Sequence, residues 1–162
     1  MGKINDFIKN HLIDKGPKPL SFYPIAKDLS FAVYHLLNET SGEHFFTSNR
    51  TEGNYFCELG WKYLGIAFYH LNDAGTPVYR LYNKRLDNYL YTVEVSEVQD
   101  LSQNDWAYEG VCFTAASYGL PIYRVQNKLS NKFIFTPSLY ERDKLILKDW
   151  LNEGVGFYEG IN

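Results

Sequence analysis

Apolar and polar positions along this chain fall into a pattern that comes round three times. Each unit opens on an alternating run, Val33 to Asn38, Val78 to Asn83 and Ile122 to Asn127, and a period of two predicts a strand. Pro77 and Pro121 stand just ahead of the later two, where a strand tolerates proline. A polar turn follows, then a second predicted strand ending at a threonine: His44 to Thr47, Tyr89 to Thr92, Phe133 to Thr136. The next stretch takes helical spacing. It is clearest in the third unit, where Ser138 and Glu141 form a capping box ahead of Lys144, Leu145, Leu147 and Lys148. Asn49 with Glu52 carries the same signal in the first unit, whereas Glu94 with Glu97 lacks a preferred cap. The helix is expected to close at a tryptophan, and a last strand to run through a glycine to a phenylalanine.

Superposed without a gap, the units align Tyr34, Tyr79 and Tyr123; Asn38, Asn83 and Asn127; Thr47, Thr92 and Thr136; Glu52, Glu97 and Glu141. Trp61, Trp106 and Trp150, then Gly65, Gly110 and Gly154, then Phe68, Phe113 and Phe157 complete the series. Self-similarity at this period marks an architecture in which each unit supplies one sector of a shared core. In the last strand Ile66, Val111 and Val155 should share a face with the three Phe, and the small residues between them, Ala67, Cys112 and Gly156, imply close packing there. The expected fold is mainly β with short helices (α+β): three strand-strand-helix-strand units closed around a pseudo-threefold axis, propeller-like with three blades or trefoil-like. Such closure would hide sheet edges. Ahead of the repeats, Ile4, Phe7, Ile8, His11 and Leu12 predict an amphipathic helix within 1–16, followed by an extended linker over 17–30 that contains Pro17, Pro19 and Pro24. Residues 31–162 form one domain, with repeats at 32–75, 76–120 and 121–162.

The length suits a single core. Aromatic residues make up 17 % of the chain, with 14 Tyr, 11 Phe and 3 Trp, which favours pleated, half-buried surfaces. A formal charge of −3 lacks the basic stripe that nucleic acid demands. No stretch reaches the length of a membrane span. Cys57 and Cys112 fall at unmatched places in their units and are read as free thiols. His11, His35, His44 and His70 show no metal-ligand spacing, so neither metal nor cofactor is expected. Charged residues from Lys3 to Lys15 interrupt any apolar signal-peptide core.

The segments VYRLYN at 78–83, Gly60-Trp61 and EGVCF at 109–113 resemble a bacterial repeat family whose pattern runs VYRLYN, HFYT, E, GW, EGVAFY. The resemblance covers residues 32 to 158. It implies an appendage of secreted hydrolases, cell-wall peptidases or phage lysins, extracellular or at the cell surface, that binds a wall or surface polysaccharide. The chain departs from the pattern in its first unit, where His35 replaces the arginine and Leu64 the glutamate. The HFYT histidine survives only as His44, and the GW glycine becomes Asp105 and Asp149 later.

Arg80 and Arg124 occur where Glu109 and Glu153 occur, and both charges vanish together in the first unit. They read either as an ion pair that fixes strand register or as the lining of a polar pocket for sugar hydroxyls. The candidate carbohydrate contacts are Tyr82, Arg80, Arg124, His35, His44, Glu109, Glu153 and Gln126. The tryptophans read as core plugs in preference to stacking platforms, and the Asn series as turn formers. Glu52, Glu97 and Glu141 read as helix-start residues, and Glu43 with His44 as a solvated pair at a turn. No nucleophile elbow, Cys-His pair or phosphate loop is present, so a non-catalytic binding module is expected. The alternative is a protein-interaction or phage or secretion accessory component docking through its N-terminal helix.

Overall fold

The computed structural model describes residues 30–71 and 74–160; the expected N-terminal helix and linker lie outside them, save for Ser30. The chain is mainly β, arranged as open sheets. The first unit contains β1 (Ala32–Asn38), β2 (Glu43–Thr47), α1 (Arg50–Glu58) and β3 (Lys62–Tyr69). The second contains β4 (Thr76–Asn83), β5 (Asn88–Thr92), α2 (Val95–Ser102) and the first half of β6 (Ala107–Asn127). The second half of β6 opens the third unit, followed by β7 (Phe133–Thr136), α3 (Leu139–Ile146) and β8 (Trp150–Tyr158).

In each unit the opening strand lies between its two antiparallel neighbours: β2-β1-β3, β5-β4-β6, and β7 and β8 on either side of the later part of β6. The expected break between the second and third repeats is absent as a strand boundary, because β6 continues across it; Ala116 and Pro121 both pair with Tyr158, so the residues between them bow out of register. Sheet edges are not abolished as expected: β2 and β3 border the three-stranded sheet.

Local chemistry accounts for the joints. Each hairpin-entry asparagine accepts backbone N–H bonds on its Oδ1: Asn38 from Thr40 and Ser41, Asn83 from Leu86, Asn127 from Leu129 and Ser130. Each strand-ending threonine is buried and accepts at Oγ1 from the backbone N–H two residues on, at Asn49, Glu94 and Ser138. Asn49 and Ser138 then cap their helices, and Glu94 makes no side-chain cap. The helices end before the tryptophans, not at them. The residue ahead of each Trp has positive φ, +96° at Gly60, 63° at Asp105 and 64° at Asp149, a conformation that glycine adopts freely and Asp tolerates.

The last strand of each unit corrects a second expectation. Pairing passes from Val78↔Phe113 to Tyr79↔Val111, and from Arg80↔Gly110 to Leu81↔Tyr108, so Cys112 and Glu109 are bulged residues. Ala67 and Leu64, and Gly156 and Glu153, occupy the corresponding irregularities. A bulge resets the two-residue alternation. Val111 and Val155 are therefore 53 % and 44 % exposed while Phe113 and Phe157 are buried. The small residues sit at this bulge, where a Cβ on Gly156 would meet Phe135 at 3.4 Å and Arg124 Cβ at 3.5 Å. These are ordinary contact distances to side chains of the same unit, not a close approach between units.

Aromatic rings fill the core in matched sets. Ring centroids of Phe68, Phe113 and Phe157 lie 5.5 to 5.7 Å apart, each pair edge to face. Phe46, Tyr91 and Phe135 form a second set at 5.5 to 5.8 Å, all buried, in the T-shaped geometry aromatic quadrupoles favour. Tyr91 Oη accepts the backbone N–H of Phe46 at 2.8 Å. Trp61 is buried against Phe45 and Phe56, as a core plug should be.

Three polar residues at corresponding positions, Glu43, Asn88 and Lys132, are also buried. Glu43 accepts from the Tyr89 N–H at 2.7 Å and pairs with Lys132 Nζ at 2.9 Å. Lys132 also donates to the carbonyls of Leu86 and Asp87, and Asn88 Nδ2 donates to Asn131 O at 2.6 Å. Glu43 is therefore no solvated turn residue. Burial raises its carboxyl to about 7, against the lowering effect of Lys132 and the Tyr89 amide.

Candidate functional site

The bulge that follows from Gly110 gives the site its geometry. A glycine with φ +104° lets the strand step aside, and the extra residue, Glu109, meets Arg80 on β4: Arg80 Nε donates to Glu109 Oε2 at 2.7 Å. The other side of the same guanidinium is met from the preceding unit. Arg80 Nη1 and Nη2 donate to the two oxygens of Glu52, in the first turn of α1, at 3.0 and 2.7 Å. Glu52 also accepts from Thr47 Oγ1 at 2.5 Å. One guanidinium is thus held between two carboxylates from two units, the fork-to-fork geometry in which arginine surpasses lysine.

The second junction repeats this. Arg124 Nη1 donates to Glu97 Oε2 at 2.9 Å, and Arg124 Nε lies 2.6 Å from Glu153 Oε2, with Gly154 at φ +85° supplying the bulge. Within-unit pairing of Arg with the bulged Glu, expected from co-occurrence, is what the structure contains. Sequence reasoning missed Glu52 and Glu97 as partners because it read them as helix-start residues. The signal was present one unit out of phase: each arginine follows a unit whose helix opens with Glu, and the only helix-start Glu without an arginine in the next position is Glu141.

Charge and burial are consistent. The Arg80 side chain is 13 % exposed, its carboxylates 27 % and 30 %. Burial alone would lower the arginine, but the Glu52 hydrogen bonds and the charges of Glu52 and Glu109 outweigh it and hold the group firmly protonated. Burial likewise raises Glu52, yet bonds from Arg80 and Thr47 keep it below the usual carboxylate range. Arg124 is raised in the same way by Glu97 and Glu153.

Around the first clamp lies a cleft of about 250 Å³ lined by Thr47, Asn49, Glu52, Arg80, Glu109 and Val111. Beside it, sharing Val111 and Cys112, is a cleft of about 360 Å³ bordered by Phe31, Ser48, His70 and Phe113. The second junction carries the counterpart of this larger cleft, about 250 Å³, at Thr76, Val93, Glu94, Val155 and Phe157. Cys112 offers no nucleophile, since burial pushes its thiol up to about 12.

The first unit departs from this plan. His35 stands in the arginine position, stacked on Phe46 at 4.4 Å, with Nε2 2.7 Å from His44 Nδ1. Burial, reinforced by His44, lowers His35 to about 3; burial and Lys132 lower His44 to about 4. Both rings are neutral at pH 7 and line none of the three clefts. Tyr82 is stacked on Tyr89 at 4.5 Å and its hydroxyl donates to Asp87 at 3.1 Å. Gln126 pairs across β6 with Phe133 and Leu151. Neither of these two lines any of the three clefts. Of the eight predicted contacts the structure brings together Arg80 with Glu109, Arg124 with Glu153 and His35 with His44, and of these Arg80 and Glu109 line one of the three clefts.

Among the described residues, no group of His, Cys, Asp or Glu is placed to hold a metal ion, and no helix is long and apolar enough to cross a membrane. Residues 32–160 match the model of a family described as a domain of unknown function, DUF5648. The chain belongs to that family. No curated protein and no solved structure matches it.

Proposed function

We propose that this chain is a non-catalytic module that binds a bacterial cell-wall or surface carbohydrate in the clefts between its units, as a targeting part of a secreted or lytic system. The observation that carries the reading is the clamp. The first junction presents carboxylates held by a largely buried guanidinium in the wall of a cleft, beside a half-exposed valine, and such fixed acceptors with an apolar neighbour suit the hydroxyls and C–H face of a sugar ring. The second junction repeats the clamp, and its cleft offers Glu94 beside Val155. The reading takes the units as sectors about a common axis, supported by the two sets of near-equidistant rings. Related weak sites on one rigid body gain avidity on a polymer, by about 10²-fold or more. The same symmetry disfavours catalysis, which needs one asymmetric reactive centre.

The first junction and the second are the working sites on this reading, and the histidine-filled position of the first unit is silent. Arg80 is a poor probe, because removing it unfastens two units. Val111→Trp with Val155→Trp is the better variant, since both side chains are half-exposed and line the clefts. The parent protein should sediment with purified bacterial cell walls and the double variant should not, with melting temperatures agreeing within a few degrees. Sedimentation that survives complete removal of wall polysaccharide would exclude the reading.

A further inference from the structure

The clefts carry a charge imbalance that says which sugars they admit. At the first junction Glu52 and Glu109 contribute two negative charges against the single positive charge of Arg80. All three kinds of guanidinium nitrogen are already donating to those carboxylates, and the carboxylates are more exposed than the arginine between them. A ligand entering the cleft therefore meets acceptors with an excess negative charge. At the second junction the only charged residue lining the cleft, among the described residues, is Glu94. It is exposed and makes no capping bond in its own helix. The larger cleft of the first junction has no Asp, Glu, Lys or Arg among its described lining residues, and its His70 ring holds Leu71 O at 2.5 Å through Nδ1. Among the described residues, none of the three clefts offers an unpaired Lys or Arg.

Resting on the carbohydrate reading, we infer that these clefts select amino sugars with a free ammonium group over N-acetylated sugars and over acidic ones. An ammonium donates three hydrogen bonds and brings the compensating charge. An N-acetyl group supplies one amide donor and no charge. A uronate, sulfate or phosphate substituent would face like charge with no arginine or lysine free to receive it. The two clefts that carry carboxylates reach the same sign of selectivity by different residues, Glu52 with Glu109 in one and Glu94 in the other.

Titration calorimetry on the full chain at pH 6 separates the possibilities, using glucosamine tetramer, N-acetylglucosamine tetramer and a uronate tetramer of similar length. Glucosamine should bind at least about fivefold more tightly than N-acetylglucosamine, about 1 kcal/mol, and the uronate weakest of all. Glu94→Gln should reduce that preference, whereas Glu58→Gln, an exposed acid at the far end of α1, should leave it unchanged. Equal or tighter binding of the neutral or acidic tetramer overturns the inference while leaving carbohydrate binding intact. An equal loss in Glu94→Gln and Glu58→Gln also overturns it, by assigning the preference to the overall negative charge. Failure of all three tetramers and of cell walls to bind removes the carbohydrate reading and this inference together.

Discussion

Replacing Arg80 with Met keeps an unbranched apolar stem and removes the guanidinium and its charge, leaving two carboxylates facing each other across the first junction. Three short contacts of 2.7 to 3.0 Å disappear, together with the guanidinium's position 4.8 Å over the Phe45 ring. A charge-assisted hydrogen bond contributes about 1.5–3 kcal/mol and a cation over an aromatic face about 0.5–2 kcal/mol. The sum must be discounted, because both carboxylates retain some contact with water and Glu52 keeps its bond from Thr47. The expected loss is about 2–4 kcal/mol, which at a urea m-value of about 2 kcal/mol/M lowers the midpoint by roughly 1–2 M. Glu109→Leu alone should cost about 1 kcal/mol, since Glu52 still pairs with the arginine. In the Arg80→Met background the same change should be neutral or favourable, because it removes an unpaired acid. The first unit already embodies that double replacement, with His35 and Leu64. A midpoint shift below about 0.3 M for Arg80→Met, or strictly additive losses in the cycle, would refute the clamp as the fastening between the units.

His35 and His44 must stay neutral in the folded protein, with folded values of about 3 and 4 against 6.5 when exposed. Their contribution is complete above pH 6.5 and is lost as pH falls toward 4, by several kcal/mol; His44→Phe should flatten the fall in urea midpoint between pH 7 and pH 4.5. Lys132→Met strands Glu43, whose folded pKa is already raised and rises further without its partner. The variant should lose about 3–5 kcal/mol at pH 8 and less at pH 5.5, where Glu43 holds a proton; an equal loss at both values would rule out the ion pair. Asp149→Gly relieves a residue at φ 64° and should stabilise by about 0.5–1 kcal/mol, read as a rise of a few degrees in melting temperature.

Periodicity made the order of elements legible because each unit has its own turn and cap chemistry, such as Asn127 with its two amides and Ser138 with Glu141. It failed at the bulges. One inserted residue inverts the pattern, so Val111 and Phe113, two apart, point to different sides, and no local preference distinguishes that from a regular strand. The Arg–Glu pairing was legible through co-occurrence within a unit. Glu52 was not, since its partner lies in the next unit and its own helix position offered a sufficient local explanation. Glu43 was misread for the opposite reason: a carboxylate beside a turn is usually wet, and only the assembled chain brings Lys132 to it.

Glu43, Asn88 and Lys132 bear on how such a protein can be made. On the proposed arrangement of the units about a common axis, a chain built by copying the first unit three times would bring together three acids in its interior, and a copy of the third three ammonium groups; of the three, the second, with its neutral amide, is the one that could be triplicated without burying like charges. The present sequence has left that option behind. Its units are not interchangeable parts, because the acid of one is neutralised by the base of another.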